Sequence, residues 1–253
     1  RDQELGAEWL RRFTADPAYR QPLVNEPDQY NTQVYNMAVF PYEGIYLGMP
    51  TMFRTSGTST TVPWGDGFSV PGLAVSPNLR DWQYAIDAER PDFLPISPVA
   101  DDVFDTAQIE PPSRPIRMGD ELFFYYTGLK FRSISATGSS AIHVSMLRLD
   151  GFVSVRSGRE PGTVLTKPLV WRGSNLWVNA DAGDGELKAE ILDVDGNLLR
   201  SGLSLERATP VSADDIRIPL RWSATEDLSE LRGQTVRLRF QLRNADLFAF
   251  WTE

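Results

Sequence analysis

The residues best suited to chemistry in this chain are the carboxylates of one stretch, Asp105-Thr106-Ala107-Gln108-Ile109-Glu110-Pro111-Pro112-Ser113-Arg114-Pro115. Pro111, Pro112 and Pro115 fix φ and stiffen the backbone beyond Glu110. The segment from Ile116 to Gly128 then reads as a hairpin. It turns at Gly119-Asp120 into the aromatic strand Leu122-Phe123-Phe124-Tyr125-Tyr126. A carboxylate on a stiff loop beside an aromatic strand is a way to present an acid to a cleft, because rigid elements hold site residues better than mobile ones. The competing reading is that Glu110 caps a turn or pairs with Arg114 on the surface.

Composition narrows the chemistry. The chain has 253 residues, 42% hydrophobic and 23% charged, enough for one large domain or two smaller ones with a buried core. It has no cysteine, which removes disulfides, thiolate catalysis and zinc-thiolate sites. Its one histidine, His143, rules out a multi-histidine metal site. His143 lies in an alternating strand pattern, Ala141 to Leu147, with no nucleophile-elbow glycine pattern near it, which argues against a serine triad. Acid-base chemistry therefore falls to Asp, Glu and Tyr, and no metal or cofactor is expected. The net charge of -9 argues against nucleic acid and anionic membranes as partners, since both need a basic face. No run of eighteen apolar residues marks a transmembrane helix. The chain opens on Arg1 without a signal pattern, so removal of an upstream segment is expected.

The elements that must position these residues read as β. Gln3 to Phe13 is the exception, with Leu5, Trp9, Leu10 and Phe13 at helical spacing; a polar loop runs from Ala18 to Gln33. Strands are then expected at Tyr35 to Phe40, Ile45 to Met49, Gly72 to Ser76 and Asp81 to Tyr84, with a turn-rich insert at Ser56 to Asp66. A second segment repeats this plan. Glu110-Pro111-Pro112 leads to a strand at Glu121 to Thr127, an insert at Arg132 to Ser140, a strand at Ala141 to Leu147 and a short strand at Phe152 to Val155. The repeat is about 70 residues, a plausible size for a four-stranded propeller blade with inserts.

Glu160-Pro161-Gly162 marks a boundary. Beyond it, short strands are expected at Thr163 to Thr166, Asn175 to Asn179, Leu187 to Asp193, Leu198 to Leu199, Arg217 to Trp222, Gln234 to Arg243 and Phe248 to Trp251. Asp195-Gly196 between apolar runs signals a hairpin. Val236, Leu238, Phe240 and Leu242 alternate with Arg237, Arg239, Gln241 and Arg243, so one face is buried and the other wet, a β-sandwich pattern. Asp181, Asp184, Asp193 and Asp195 do not match a calcium-loop spacing and read as hairpin turns.

Several stretches together resemble bacterial proteins related to glycoside hydrolase family 32. They are Leu147-Arg148-Leu149-Asp150-Gly151-Phe152-Val153-Ser154, Thr166-Lys167-Pro168-Leu169, Val178-Asn179-Ala180-Asp181, Leu192-Asp193-Val194-Asp195-Gly196, and Val236 to Phe240 with Leu242 to Phe248. Tyr35-Asn36-Met37-Ala38-Val39 with Ile45-Tyr46-Leu47-Gly48 is similar to a penultimate-blade motif there, and Ile109-Glu110-Pro111-Pro112 to the last blade's acidic motif. The resemblance implies an all-β chain: the last two blades of a five-bladed β-propeller, residues 34–160, followed by a β-sandwich, residues 161–253, with residues 1–33 as a helical and loop lead-in. It also implies sugar binding in the propeller funnel and hydrolysis by carboxylates from several blades, since one must protonate the leaving oxygen while another attacks or activates water. This chain departs from the pattern in lacking the early blades, which carry the family's nucleophile.

On that basis the candidate catalytic carboxylates are Glu110, Glu43 in the equivalent place one blade earlier, and Asp105. Tyr42, Tyr126 and Trp64 are candidates for stacking on sugar rings, and Arg114 for holding a hydroxyl or carboxylate. The competing reading of Tyr42 and Tyr126 is as core aromatics. The expected function is a glycoside hydrolase or the carboxy-terminal part of one; the alternatives are a non-catalytic sugar-binding protein and a structural module. The expected partners are an oligosaccharide or glycoside and the missing blades, supplied upstream or by a second chain. A secreted or periplasmic location is expected over a cytoplasmic one.

Overall fold

The structure, a computed structural model, describes residues 32–57, 66–85, 92–98, 102–130, 140–223 and 227–253. The helix expected at Gln3 to Phe13, the loop from Ala18, the inserts after Ser56 and Arg132 for their greater part, and Trp64 lie outside the described residues. Those residues are all-β, with several sheets, none closed, and no α-helix among them. The chain divides into two compact units. One runs through Met118 and includes Leu122–Met146; the other holds Gly119–Glu121 and Leu147–Glu253.

The first unit carries one nine-stranded sheet. Its strands are β1 (Thr32–Tyr42), β2 (Ile45–Gly57), β3 (Asp66–Pro71), β4 (Ala74–Ser76), β5 (Gln83–Tyr84), β6 (Gln108–Glu110), β7 (Ile116–Met118), β8 (Glu121–Leu129) and β9 (Ser140–Arg148). They are ordered β5-β4-β2-β3-β6-β8-β7, with β1 also on β2 and β9 also on β8. β1 and β2 form a hairpin whose register shifts between Val34 and Met37 and then runs unbroken to Tyr42 opposite Ile45. Its two turn residues, Glu43 and Gly44, both have positive φ, 44° and 83°, the backbone a tight two-residue hairpin needs to match strand twist. The turn is thus shorter than the Pro41-to-Gly44 connection that the sequence suggests. β2 is covered on both sides: every residue from Leu47 to Phe53 is buried, which suits a stretch that is apolar but for Thr51. β3 meets β6 in parallel at Ser69 and Gln108. β6 then pairs antiparallel with β8, placing Glu110 opposite Thr127, Ile109 opposite Gly128 and Gln108 opposite Leu129.

The second unit contains β10 (Val155–Ser157), β11 (Gly162–Leu165), β12 (Leu169–Val170), β13 (Leu176–Asp181), β14 (Glu186–Leu192), β15 (Asp214–Leu220), β16 (Thr235–Arg243) and β17 (Ala245–Thr252). They form two four-stranded sheets, β10-β17-β13-β15 and β11-β16-β12 with β14 also on β16. One hydrophobic core draws on both: Leu176, Val178 and Ala180 from β13, Leu187, Ala189 and Ile191 from β14, and Val236, Leu238, Phe240 and Leu242 from β16. The β16 residues follow the alternation read from the sequence, all four being buried.

β3 and β12 have no counterpart among the strands expected from the sequence, and two of the expected strands differ in the structure. Phe152 to Val155, expected as a short strand, gives way to β10, which pairs with β17 through Val155 opposite Leu247. Asp246 on β17 holds it there, accepting from Ser154 Oγ at 2.6 Å and Arg156 Nε at 2.8 Å. Leu198-Leu199 makes only a single bridge, Leu192 to Leu198. The Asp193 carboxylate accepts from the backbone N–H of Asp195 and Asn197, both at 2.9 Å, which folds this stretch as a turn before the 3-10 turn at Ser201–Leu203.

Candidate functional site

Glu110 ends β6, the shortest route between the aspartate loop and the proline loop. In a strand, alternate residues share a face, so Gln108 and Glu110 lie on one side and Ile109, fully buried, on the other. Across the ladder Glu110 shares its side with Thr127, and two residues further along β8 with Tyr125, which is 46% exposed. The Glu110 carboxylate receives two amide donors. Asn36 Nδ2 donates to Oε2 at 3.4 Å, and Gln108 Nε2 donates to Oε1. Asn36 is itself fixed: the Thr51 hydroxyl donates to Asn36 Oδ1 at 2.6 Å, and Thr51 is fully buried. One carboxylate, two amides and a hydroxyl drawn from β1, β2 and β6 thus form a connected polar group at the sheet surface. Ser69, opposite Gln108 on β3, adds a buried hydroxyl without a partner.

Asp105 belongs to a different group. It is buried, and the Tyr126 hydroxyl donates to its Oδ2 at 2.8 Å. Tyr126 alternates with Tyr125, so it lies on the opposite face of β8 from Glu110. Its ring stacks on His143, with centroids 5.2 Å apart and planes 14° from parallel. Gly128 makes room: a β-carbon there would meet Asp105 Cβ at 2.6 Å and His143 Cδ2 at 2.8 Å. The tyrosine pKa is pushed well up, first by burial and then by its hydrogen bond to Asp105 and that carboxylate's charge. His143 Nε2 is buried without a partner.

The remaining predicted residues are scattered. Glu43 is exposed at the tip of the β1–β2 hairpin and Tyr42 is half-buried beside it. Six residues of β1 separate Glu43 from Asn36, a span of roughly 23 Å at a rise of about 3.3 Å per residue. Arg114 is exposed on the proline loop and makes no ion pair with Glu110, whose partners are Asn36 and Gln108. The structure therefore does not bring Glu43, Asp105 or Arg114 to Glu110.

Sequence reasoning missed Asn36, Thr51, Gln108 and Tyr125. Gln108-Ile109-Glu110 did carry a signal, since polar-apolar-polar alternation puts the two polar side chains on one face. Asn36 and Thr51 each interrupt an apolar run, but nothing local says that they meet. Among the described residues no group of His, Asp and Glu side chains is arranged to hold a metal, and no helix is long and apolar enough to cross a membrane. Compared with known families and with curated proteins, the chain matches no family model and no curated sequence.

Proposed function

We propose that this chain forms the last blades of a carbohydrate-active β-propeller joined to a β-sandwich, and that Glu110 supplies one carboxylate of a glycoside-hydrolysing site. The observation that carries the reading is the setting of Glu110: a carboxylate at the end of a strand, braced on both oxygens by neutral amides and sharing its face with the exposed ring of Tyr125. Sugars are bound by this combination of a hydrogen-bonding carboxylate and an aromatic surface, because a sugar ring presents hydroxyls at its edge and C–H groups on its face. Glycoside hydrolysis needs a second carboxylate. With Asp105 turned to the other face and Glu43 at the far end of β1, that second group comes from further blades, on the same polypeptide or on another chain.

The same separation favours a second reading, sugar binding without turnover. One experiment distinguishes them: hydrolysis of nitrophenyl glycosides, and binding of the matching free sugars, by the chain and its Glu110→Gln variant. Turnover that is lost in the variant at unchanged thermal midpoint supports the hydrolase. Binding without turnover supports the second reading. Neither binding nor turnover overturns both.

A further inference from the structure

We propose that Glu110 serves as a fixed acceptor for two neighbouring hydroxyls of a sugar, and not as a proton donor; the inference rests on the carbohydrate reading above and assigns the role of its central residue. An ionised carboxylate is acceptor-only and offers about four lone-pair sites on its two oxygens. Here one site on each oxygen is filled, Oε2 by Asn36 and Oε1 by Gln108. Among the described residues no other donor reaches the group, so one site on each oxygen is open. Two acceptors side by side and fixed in one plane match a pair of hydroxyls on adjacent carbons. The same geometry makes a bidentate contact specific wherever two donors meet a carboxylate.

The bracing determines the sign of the interaction. The amide of Asn36 has its oxygen towards the buried Thr51 hydroxyl, which donates to it, and its N–H towards Glu110, where a turned amide would set its oxygen against a carboxylate. Gln108, two residues back on the same strand face, also presents N–H. A proton on either carboxylate oxygen would take one of the two open sites, whereas two hydroxyl donors from a ligand fill both. Thr127 opposite and Tyr125 two residues further along set a hydroxyl and an exposed ring beside the carboxylate. The Tyr125 ring gives the sugar's C–H face a surface beside the diol.

The test uses the whole chain and the side-chain amide signals of Asn36 and Gln108, read by ¹⁵N NMR and assigned by their loss in Asn36→Ser and Gln108→Ala. The probes are methyl glycosides of glucose, galactose, mannose and fructose, and the deoxy counterpart of whichever binds. The expected result is a saturable shift of both amide signals. Binding should weaken about tenfold or more in Glu110→Gln, since hydrogen bonds to a charged group are the stronger kind, and similarly with the deoxy sugar. Thr51→Val, which keeps the buried shape but removes the hydroxyl that positions Asn36, should weaken it severalfold, and Thr51→Ser should restore it. If a sugar binds but leaves these amides unmoved and binds Glu110→Gln as well as wild type, the diol role falls and the carbohydrate reading stands. If no sugar shifts any signal at its solubility limit, both fall. A glycosidase activity whose dependence on a protonated group vanishes in Glu110→Gln would make Glu110 the proton donor and overturn the inference.

Discussion

The Tyr126 hydroxyl donates to Asp105 at 2.8 Å, and this bond takes Asp105 out of the chemistry of Glu110. The two carboxylates are five residues apart in sequence, yet they serve opposite faces of the β6–β8 pair. Asp105 is a buried acceptor whose partner is a tyrosine in a ring stack. Glu110 is a surface acceptor whose partners are amides. A shared proton between two close carboxylates, the usual way to make one of them a strong acid, is not available to this pair.

Tyr126→Phe should destabilise the protein by about 1–3 kcal/mol, the cost of leaving a buried group without its hydrogen bond. The effect has a definite pH dependence. Burial and Asp105 raise the folded-state pKa of Tyr126 above its ordinary value. Its stabilising contribution is therefore full below the unfolded-state value near 10 and falls as pH rises beyond it, because only the unfolded chain ionises there. Urea unfolding of wild type and variant between neutral pH and pH about 11 should show the gap between them narrowing above pH about 10. A constant gap would mean that the hydroxyl is not held as described.

How much of this was legible beforehand differs by element. The alternation from Val236 to Leu242 was readable because a strand with one buried face writes its period directly into the sequence. Glu110 stood out because an acid before two prolines is locally conspicuous. Which of Tyr125 and Tyr126 faces inward was not readable. That depends on the register of β6 against β8, and shifting a register by one residue exchanges the faces. The partnership of Asn36 and Glu110 spans 74 residues and depends on β1, β2, β3 and β6 lining up in one sheet, which no local pattern encodes.

Gly128→Ala should destabilise the first unit. The added methyl would sit within 2.9 Å of the Asp105 backbone and 2.8 Å of the His143 ring, and overpacking a tight site costs roughly 1–3 kcal/mol. Gly158→Ala is the control: it has open space and no positive φ, so its thermal midpoint should stay near wild type. Equal midpoints for the two variants would contradict the packing around Asp105.

Phe240→Ala should cost roughly 3–5 kcal/mol, the range for deleting a large buried ring. Phe240 is fully buried in the core of the second unit, opposite Val164 and Ala189, with the Phe250 ring 5.2 Å away. Denaturant unfolding followed by tryptophan fluorescence measures it, since Trp171 and Trp222 lie in the same core. A loss below about 1 kcal/mol would place Phe240 outside the range for a core ring.

Two arginines on β16 should differ sharply although their sequence settings are alike. Arg239 Nη1 donates to Glu190, whose side chain is only 10% exposed and which also accepts from the Leu205 N–H at 3.3 Å. Arg243 reaches Glu186 at 3.4 Å, and both of those side chains are open to water, 47% and 29% exposed. Removing Arg239 strands a nearly buried carboxylate, and breaking such a pair from one side costs about 3–5 kcal/mol when burial is complete. Arg239 is itself 35% exposed, so solvent screening brings the expected loss for Arg239→Ala to the lower end, about 2–3 kcal/mol. Arg243→Ala should cost about 0–1 kcal/mol, as exposed pairs do. Adding salt should leave the first loss largely intact and erase the second, because a partly buried pair is screened less than an exposed one. The measurement is urea unfolding of both variants at low and high ionic strength. Equal losses, or a loss for Arg239→Ala that salt abolishes, would show that Glu190 does not depend on its arginine.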